Sequence, residues 1–284
     1  MNSPESITIT ATDGHKFGAS LYISDASKAQ VLVFYAALGT PSKVYSAFAT
    51  AMAENGITVC TPDWRGIGSS SIRASRKTDF GYRHLIELDA PKLIAALQTR
   101  FPGAQIWLGG HSLGGQLSAL IAAANSESIH GLLPIASGSV FLSCFPPKAQ
   151  RQIRTIGMIT KSIAPLLGCF PGNRIGFGGR EAVGVMRDWY RVAGTGRYEP
   201  RGSDTDYEKA LGELKLPVLS LNFSTDAFAP AAAADYLLAK LSACKCEKWF
   251  WTEADTGGIG FDHYSWLKNA PVVVPKLAAW VRRQ

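Results

Sequence analysis

Long apolar runs are missing from this chain of 284 residues. Its most hydrophobic stretches are broken by Gly, Pro or a charge within about 12 residues, short of the roughly 18 that a membrane helix needs. Met1 to Thr12 lack a basic start followed by an apolar run, so they do not read as a secretory signal, and a cytoplasmic protein is expected. Cysteine is scarce: Cys60, Cys144, Cys169, Cys244 and Cys246 are odd in number and scattered, which excludes a disulfide framework. Cys244 and Cys246 also lack a second Cys or His pair at zinc spacing. Charged residues are few, 18% against 46% apolar, which excludes wholesale disorder and leaves material for a sizeable core. One large α/β domain, or one with an insertion, fits this length better than several small modules.

Short β-type runs alternate with helical ones, a rhythm that lays helices on both faces of a mostly parallel sheet. Strands are expected at 31–35, 57–61, 105–108, 132–136, 217–223 and 247–251. Helices are expected at 44–55, 83–100, 113–124, 231–243 and 272–283, with Pro91 kinking the second. The rhythm breaks between Gly138 and Asp206, where Pro146-Pro147, Pro171-Gly172 and Gly178-Gly179 accompany many arginines and no clear strand. That segment reads as a helical insertion at 139–206, between a first core part at 1–138 and a second at 207–284. The net charge is +7, and residues 139–205 hold 10 Lys and Arg against 4 Asp and Glu. Nearly all of the charge therefore lies in the insertion.

Gly110-His111-Ser112-Leu113-Gly114 fits Gly-x-Ser-x-Gly and lies between an expected strand and an expected helix, the context that gives this pattern mechanical meaning. A sharp turn there would strain the serine backbone and project its hydroxyl from the top of the sheet. Side chains in place of the flanking glycines would clash with the neighbouring strand and helix. The first helical amides would point at the same spot, making the Leu113 N–H a donor for a developing oxyanion. A glycine-rich turn with an incidental serine is the plain alternative. A phosphate loop is disfavoured, because no Gly-Lys-Ser/Thr ending follows and the Gly-x-Gly-x-x-Gly spacing is not met.

Asp63-Trp64-Arg65-Gly66-Ile67-Gly68-Ser69 lies about 50 residues before that serine. With it the chain resembles the α/β-hydrolase superfamily, and more closely its serine-hydrolase branch of lysophospholipase and serine-aminopeptidase-like proteins. Pro171-Gly172, Gly176-Phe177-Gly178 and Val185-Met186-Arg187-Asp188-Trp189 are similar to features of a bacterial group within it. The resemblance spans essentially the whole chain. It implies an α/β-hydrolase fold, a mostly parallel central sheet flanked by helices, with the insertion as a helical cap.

The resemblance also implies the order Ser, acid, His. Of His15, His84, His111, His130 and His263, only His263 comes late enough, in the Gly-rich loop 257–263. The family usually has Gly just before this histidine, where the chain has Asp262. Asp226, four residues before Pro230 and just after the strand at 217–223, matches the family's acid. Capping the next helix is its ordinary reading. Asp255 and Asp262 are rival acids, although Asp262 adjoins the histidine and is poorly placed to turn onto its ring. The second oxyanion donor falls on the Leu38 N–H, in Ala36-Ala37-Leu38-Gly39, where many relatives carry His-Gly. A backbone donor does not depend on side-chain identity.

A serine hydroxyl is a poor nucleophile at neutral pH unless an imidazole takes its proton, and that imidazole must be held by an acid. The expectation is a serine hydrolase cleaving carboxylic ester or thioester bonds through Ser112, His263 and Asp226. The N–H groups of Leu113 and Leu38 would hold the oxyanion, with no cofactor or metal called for. An acyltransferase or aminopeptidase would use the same three residues. A non-catalytic binding protein on the same fold is the alternative of a different class. Dehalogenase and epoxide hydrolase chemistry is disfavoured, because it needs a carboxylate at the elbow.

In the insertion Ile153, Ile156, Met158, Ile159, Ile163, Leu166 and Leu167 are apolar at helical spacing, with Lys148, Arg151, Arg154 and Lys161 beside them. Ordinary helix packing accounts for this pattern. The functional reading is an apolar acyl pocket with basic groups at its mouth, suited to a small ester or thioester bearing an anion. The same mixture favours a peripheral membrane contact. Nucleic acid is not an expected partner, since no helix-turn-helix, RNP or zinc-finger pattern is present.

Overall fold

A computed structural model describes residues 3–25 and 30–284. The chain opens with a hairpin, β1 (Glu5–Thr10) and β2 (Lys16–Tyr22), and then alternates. β3 (Gln30–Tyr35), α1 (Ser46–Glu54), β4 (Thr58–Pro62), α2 (Ala90–Arg100), β5 (Gln105–His111), α3 (Leu113–Ala124) and β6 (Gly131–Ile135) follow. An inserted segment then carries α4 (Pro147–Ser162), α5 (Ala164–Leu167), β7 (Phe170–Pro171), α6 (Gly172–Ile175), β8 (Arg180–Glu181) and α7 (Val183–Thr195). Next come α8 (Tyr207–Glu213), β9 (Pro217–Phe223), α9 (Ala231–Lys240), β10 (Lys245–Trp251) and α10 (Ala270–Val281).

Among the described residues, eight strands form one sheet in the order β1-β2-β4-β3-β5-β6-β9-β10. β2 is antiparallel to β1 and β4, and every other pairing is parallel. Val31, Leu32, Val33 and Phe34 of β3 are fully buried because helices cover both faces, which is why such strands read as continuous apolar runs. Register sets Tyr35 beside Gly110, His111 beside Ile135 and Ile135 beside Leu221. The carboxyl ends of β3, β5, β6 and β9 therefore form one rim, the place where open α/β sheets carry their ligand chemistry.

The expected alternation is present, with instructive differences. The β1–β2 hairpin was not anticipated: its Ser, Thr and Gly positions bury only isolated apolar side chains such as Ile9, Phe17 and Leu21. β5 runs on through Gly109 and Gly110 to His111, past the expected 105–108, since glycine lets this strand pass close to its neighbours. The helix expected at 83–100 is interrupted just before Pro91. A π-helical turn at His84–Asp89 runs directly into α2, which widens the helix where the proline lacks an N–H.

The segment between β6 and β9 carries helices together with the small β7–β8 hairpin. α4 turns Ile153, Ile156 and Thr160 inward, and Gly157 lets it cross α7 closely: a Cβ there would lie 2.0 Å from the Tyr190 ring. Met158, Ile163, Leu166 and Leu167, by contrast, are exposed. All five cysteines are free. No helix among the described residues is long and apolar enough to cross a membrane.

Candidate active site

Ser112 sits alone between the end of β5 and the start of α3, with φ 55° and ψ −118°. Among the described non-glycine residues only Ser112 and Ala136 have positive φ, a conformation in which an L-residue is strained. The turn is held from three sides. Ser112 N–H donates to the Ile135 carbonyl (3.1 Å), Ser137 Oγ donates to the Ser112 carbonyl (2.7 Å), and Gly115 N–H donates to it as well (3.1 Å). Glycine is obligatory on both sides: a Cβ at Gly110 would lie 2.5 Å from the Gly114 backbone, and one at Gly114 would lie 2.2 Å from the Tyr35 carbonyl. The same closeness brings the first turn of α3, where Leu113 N–H has no partner within the helix, against the end of β3.

Leu38 stands just beyond β3, in a turn closed by the Thr40 N–H donating to the Ala37 carbonyl (3.1 Å). Ala37 N–H donates to the Tyr45 hydroxyl (2.9 Å), which in turn lies 2.8 Å from His111 Nδ1. One phenol thus ties the Leu38 loop to the residue preceding Ser112. His111 is fully buried. Burial first, and then the neighbouring His263, hold its imidazolium well below the usual range, so the ring is neutral at pH 7.

His263 and Asp226 are 4% and 3% exposed, and Asp226 Oδ2 lies 2.8 Å from His263 Nδ1. With a carboxylate accepting at Nδ1, a neutral imidazole keeps its proton there and presents Nε2 as a base. Asp226 also caps: its other oxygen, Oδ1, accepts from the N–H groups of Phe228 (2.8 Å) and Ala229 (3.0 Å). The two readings of this residue therefore hold together. Thr225 Oγ1 donates to the Phe261 carbonyl (2.6 Å), joining the acid loop to the histidine loop, and Trp266 Nε1 donates to the His263 carbonyl (3.1 Å) within the latter.

The rival carboxylates are engaged elsewhere. Asp262 accepts from Tyr264 N–H (2.9 Å) and Ser265 N–H (2.8 Å), and Asp255 accepts from Thr252 N–H (2.8 Å) and its hydroxyl (2.8 Å). These hydrogen bonds hold both carboxyls below the usual carboxylate range.

The His263 ring lies 4.6 Å, centroid to centroid, from the ring of His111, the residue preceding Ser112, so the histidine loop and the serine turn are neighbours at one edge of the sheet although 151 positions separate Ser112 from His263. Phe228 and Tyr264 stand at 5.1 and 5.0 Å from the same imidazole, and both are about half exposed, leaving an apolar surface beside it. Five residues singled out in the sequence, Ser112, Leu113, Leu38, Asp226 and His263, are thus gathered at the rim. Tyr45, Trp266, Phe228 and Tyr264 were not foreseen, and no motif marks them. His111 lay within the Gly-x-Ser-x-Gly pattern itself, where its side chain carried no separate signal.

Glu181 of β8 also went unnoticed. The backbone of Gly178 and Gly179 packs on Gly39, next to Leu38, so tightly that a Cβ at Gly39 would lie 2.0 Å from Gly179 N and 2.7 Å from Glu181 Oε1. Glu181 accepts from Gly179 N–H (2.7 Å) and is 5% exposed; burial pushes its carboxyl up to about 7.

Comparison with known proteins agrees with this architecture. No curated protein matches the chain. An esterase domain from a Rhodothermus marinus protein superposes with TM-score 0.63 at 17% identity, over 100% of this chain and 99% of that one. A thermophilic esterase from Thermogutta terrifontis gives 0.60 at 17% identity, over 98% of both chains. A thioesterase domain from the curacin biosynthetic pathway gives 0.62 at 15% identity, over 98% of this chain and 100% of that one. At such identities the likeness shows the fold. A sequence profile of the serine aminopeptidase S33 family matches residues 26–169, just over half of the chain. With the mostly parallel sheet and its flanking helices, that match establishes that the chain belongs to the serine aminopeptidase S33 family and has the α/β-hydrolase fold.

Proposed function

We propose that the protein is a serine hydrolase that cleaves carboxylic ester or thioester bonds through an acyl-enzyme. The observation that carries the reading is the buried 2.8 Å contact of Asp226 with His263, one histidine ring away from a strained serine turn. Ser112 attacks the carbonyl while His263 Nε2 takes its proton, and Asp226 keeps the tautomer and stabilises the imidazolium. The N–H groups of Leu113 and Leu38 receive the charge that develops on the carbonyl oxygen. Water, activated by the same imidazole, then releases the acyl group.

The esterases and the thioesterase among the structural neighbours favour ester and thioester substrates. The exposed rings of Phe228 and Tyr264 beside His263 favour an apolar acyl group. The inserted segment acts as a cap, with Gly178 and Gly179 resting on the loop that offers Leu38 N–H. Five free cysteines suit a reducing compartment such as the cytoplasm.

A fluorophosphonate probe and a panel of p-nitrophenyl esters of rising chain length test the reading. The wild-type protein is expected to be labelled and to hydrolyse the esters, and Ser112→Ala to lose the label and at least about 10³-fold in kcat. Undiminished hydrolysis by Ser112→Ala would end the proposal. An acyltransferase or aminopeptidase would also be labelled, and acyl transfer to an alcohol or release of an N-terminal residue would identify either one.

A further inference from the structure

The exposed face of the inserted segment is unusual in charge. Residues 128–180 contain no Asp or Glu, while Lys148, Arg151, Arg154, Lys161, Arg174 and Arg180 fall within them. Among the described residues no ion pair engages Lys148, Arg151, Arg154, Lys161 or Arg174; by contrast, Arg191 and Arg197 further along both pair with Glu199. Arg151, Arg154, Met158 and Lys161 follow one another at spacings of three, four and three, which sets them on one face of α4, and all four are exposed.

The same region concentrates apolar exposure. Met158 is 62% exposed, Ile163 47%, Leu166 70%, Leu167 44% and Ile175 44%. Leu166 and Leu167 end the short α5, and the Arg76 Nε donates to the Leu166 carbonyl (2.8 Å). Gly168 packs on the Arg76 backbone, where a Cβ would lie 2.2 Å from Arg76 N, so the exposed Arg76 and Lys77 join the same patch from the core. Leaving these apolar side chains in water is unfavourable, and unpaired cations beside them repel one another. An anionic bilayer relieves both: phosphates take the cations and the headgroup layer takes the apolar tips.

We propose that this face of the inserted segment, from Arg151 through Leu167 with Arg76 and Lys77, docks on an anionic phospholipid surface. The test is co-sedimentation of the full chain with vesicles of phosphatidylcholine alone or with one-third phosphatidylglycerol. Binding is expected on the anionic vesicles and to weaken with salt. Arg151→Gln with Arg154→Gln should lower the partition coefficient by about 25-fold, at about 5-fold per cation. Met158→Ser with Leu166→Ser should lower it by about 10-fold or more.

Hydrolysis of a soluble short-chain ester should be unchanged in all these variants, so membrane binding and catalysis are read separately. Equal binding to neutral and anionic vesicles, or no binding, overturns the proposal. So does binding that the apolar substitutions leave intact, which would indicate simple attraction to polyanions, including an acidic protein partner.

Discussion

Tyr45 shows how much of the rim depends on one hydroxyl. Its oxygen accepts from Ala37 N–H and its other contact is His111 Nδ1, so it spans the Leu38 loop and the serine turn from within the core. Tyr45→Phe would leave Ala37 N–H and a ring nitrogen of His111 unpaired in a dry environment. The expected results are a loss of about 1–3 kcal/mol in stability, seen by urea unfolding, and about 10-fold in kcat with a much smaller change in KM. An unchanged kcat would mean that the loop keeps its position without the phenol. Ser112→Ala should behave differently, removing turnover while leaving stability nearly unchanged, since alanine keeps the Cβ and the main-chain hydrogen bonds that hold the turn.

The β7–β8 hairpin carries the equivalent lesson for an element. Its glycines allow backbone to lie on backbone at Gly39, and Glu181 is buried behind that contact. A carboxyl raised from 4.5 to about 7 favours the folded protein while protonated, so its contribution is complete below about 4.5 and lost as pH rises through about 7. Glu181→Gln removes that loss. The variant is expected to melt above the wild type at pH 8.5, by up to about 3 kcal/mol in stability, with the advantage vanishing near pH 4.5. A difference that did not vary with pH would show that burial leaves the carboxyl with the same pKa in the folded and unfolded chain.

For the whole molecule, a second Ser-His-Asp cluster deserves comparison with the first. His15 Nε2 lies 2.8 Å from Ser70 Oγ and His15 Nδ1 lies 3.2 Å from Asp89. Its chemistry is structural: Ser70 Oγ already accepts from Gly66 N–H (2.8 Å), and Arg65 clasps both Asp89 (2.6 and 3.0 Å) and Asp13 (2.6 and 2.9 Å). The Arg65 hydrogen bonds hold the Asp13 carboxyl down to about 2. This knot fixes the 63–69 turn against the residues between β1 and β2 and those leading into α2. Asp89→Ala leaves a buried guanidinium short of a partner and is expected to cost about 3–5 kcal/mol, lowering Tm on the order of 10 °C. Ser70→Ala should leave fluorophosphonate labelling intact, and loss of labelling there would transfer the nucleophile from the rim to this knot.

Local rules were enough to make the central strands and the serine turn legible, because burial on both faces writes a continuous apolar run and a strained strand-to-helix corner demands glycine at fixed offsets. Order along the chain then narrowed the histidines to His263 and favoured Asp226. What had no local signature was decided by tertiary packing. The β1–β2 hairpin follows from pairing with β4 rather than from its own weak pattern, and Tyr45 reaches His111 only because β3 lies beside β5. The inserted segment divided its apolar residues, Ile153 and Ile156 inward and Met158 and Leu166 outward, according to where α7 and the core stood. Periodicity says that a helix has an apolar stripe. Which of its members meet protein and which are left facing outward depends on partners distant in sequence.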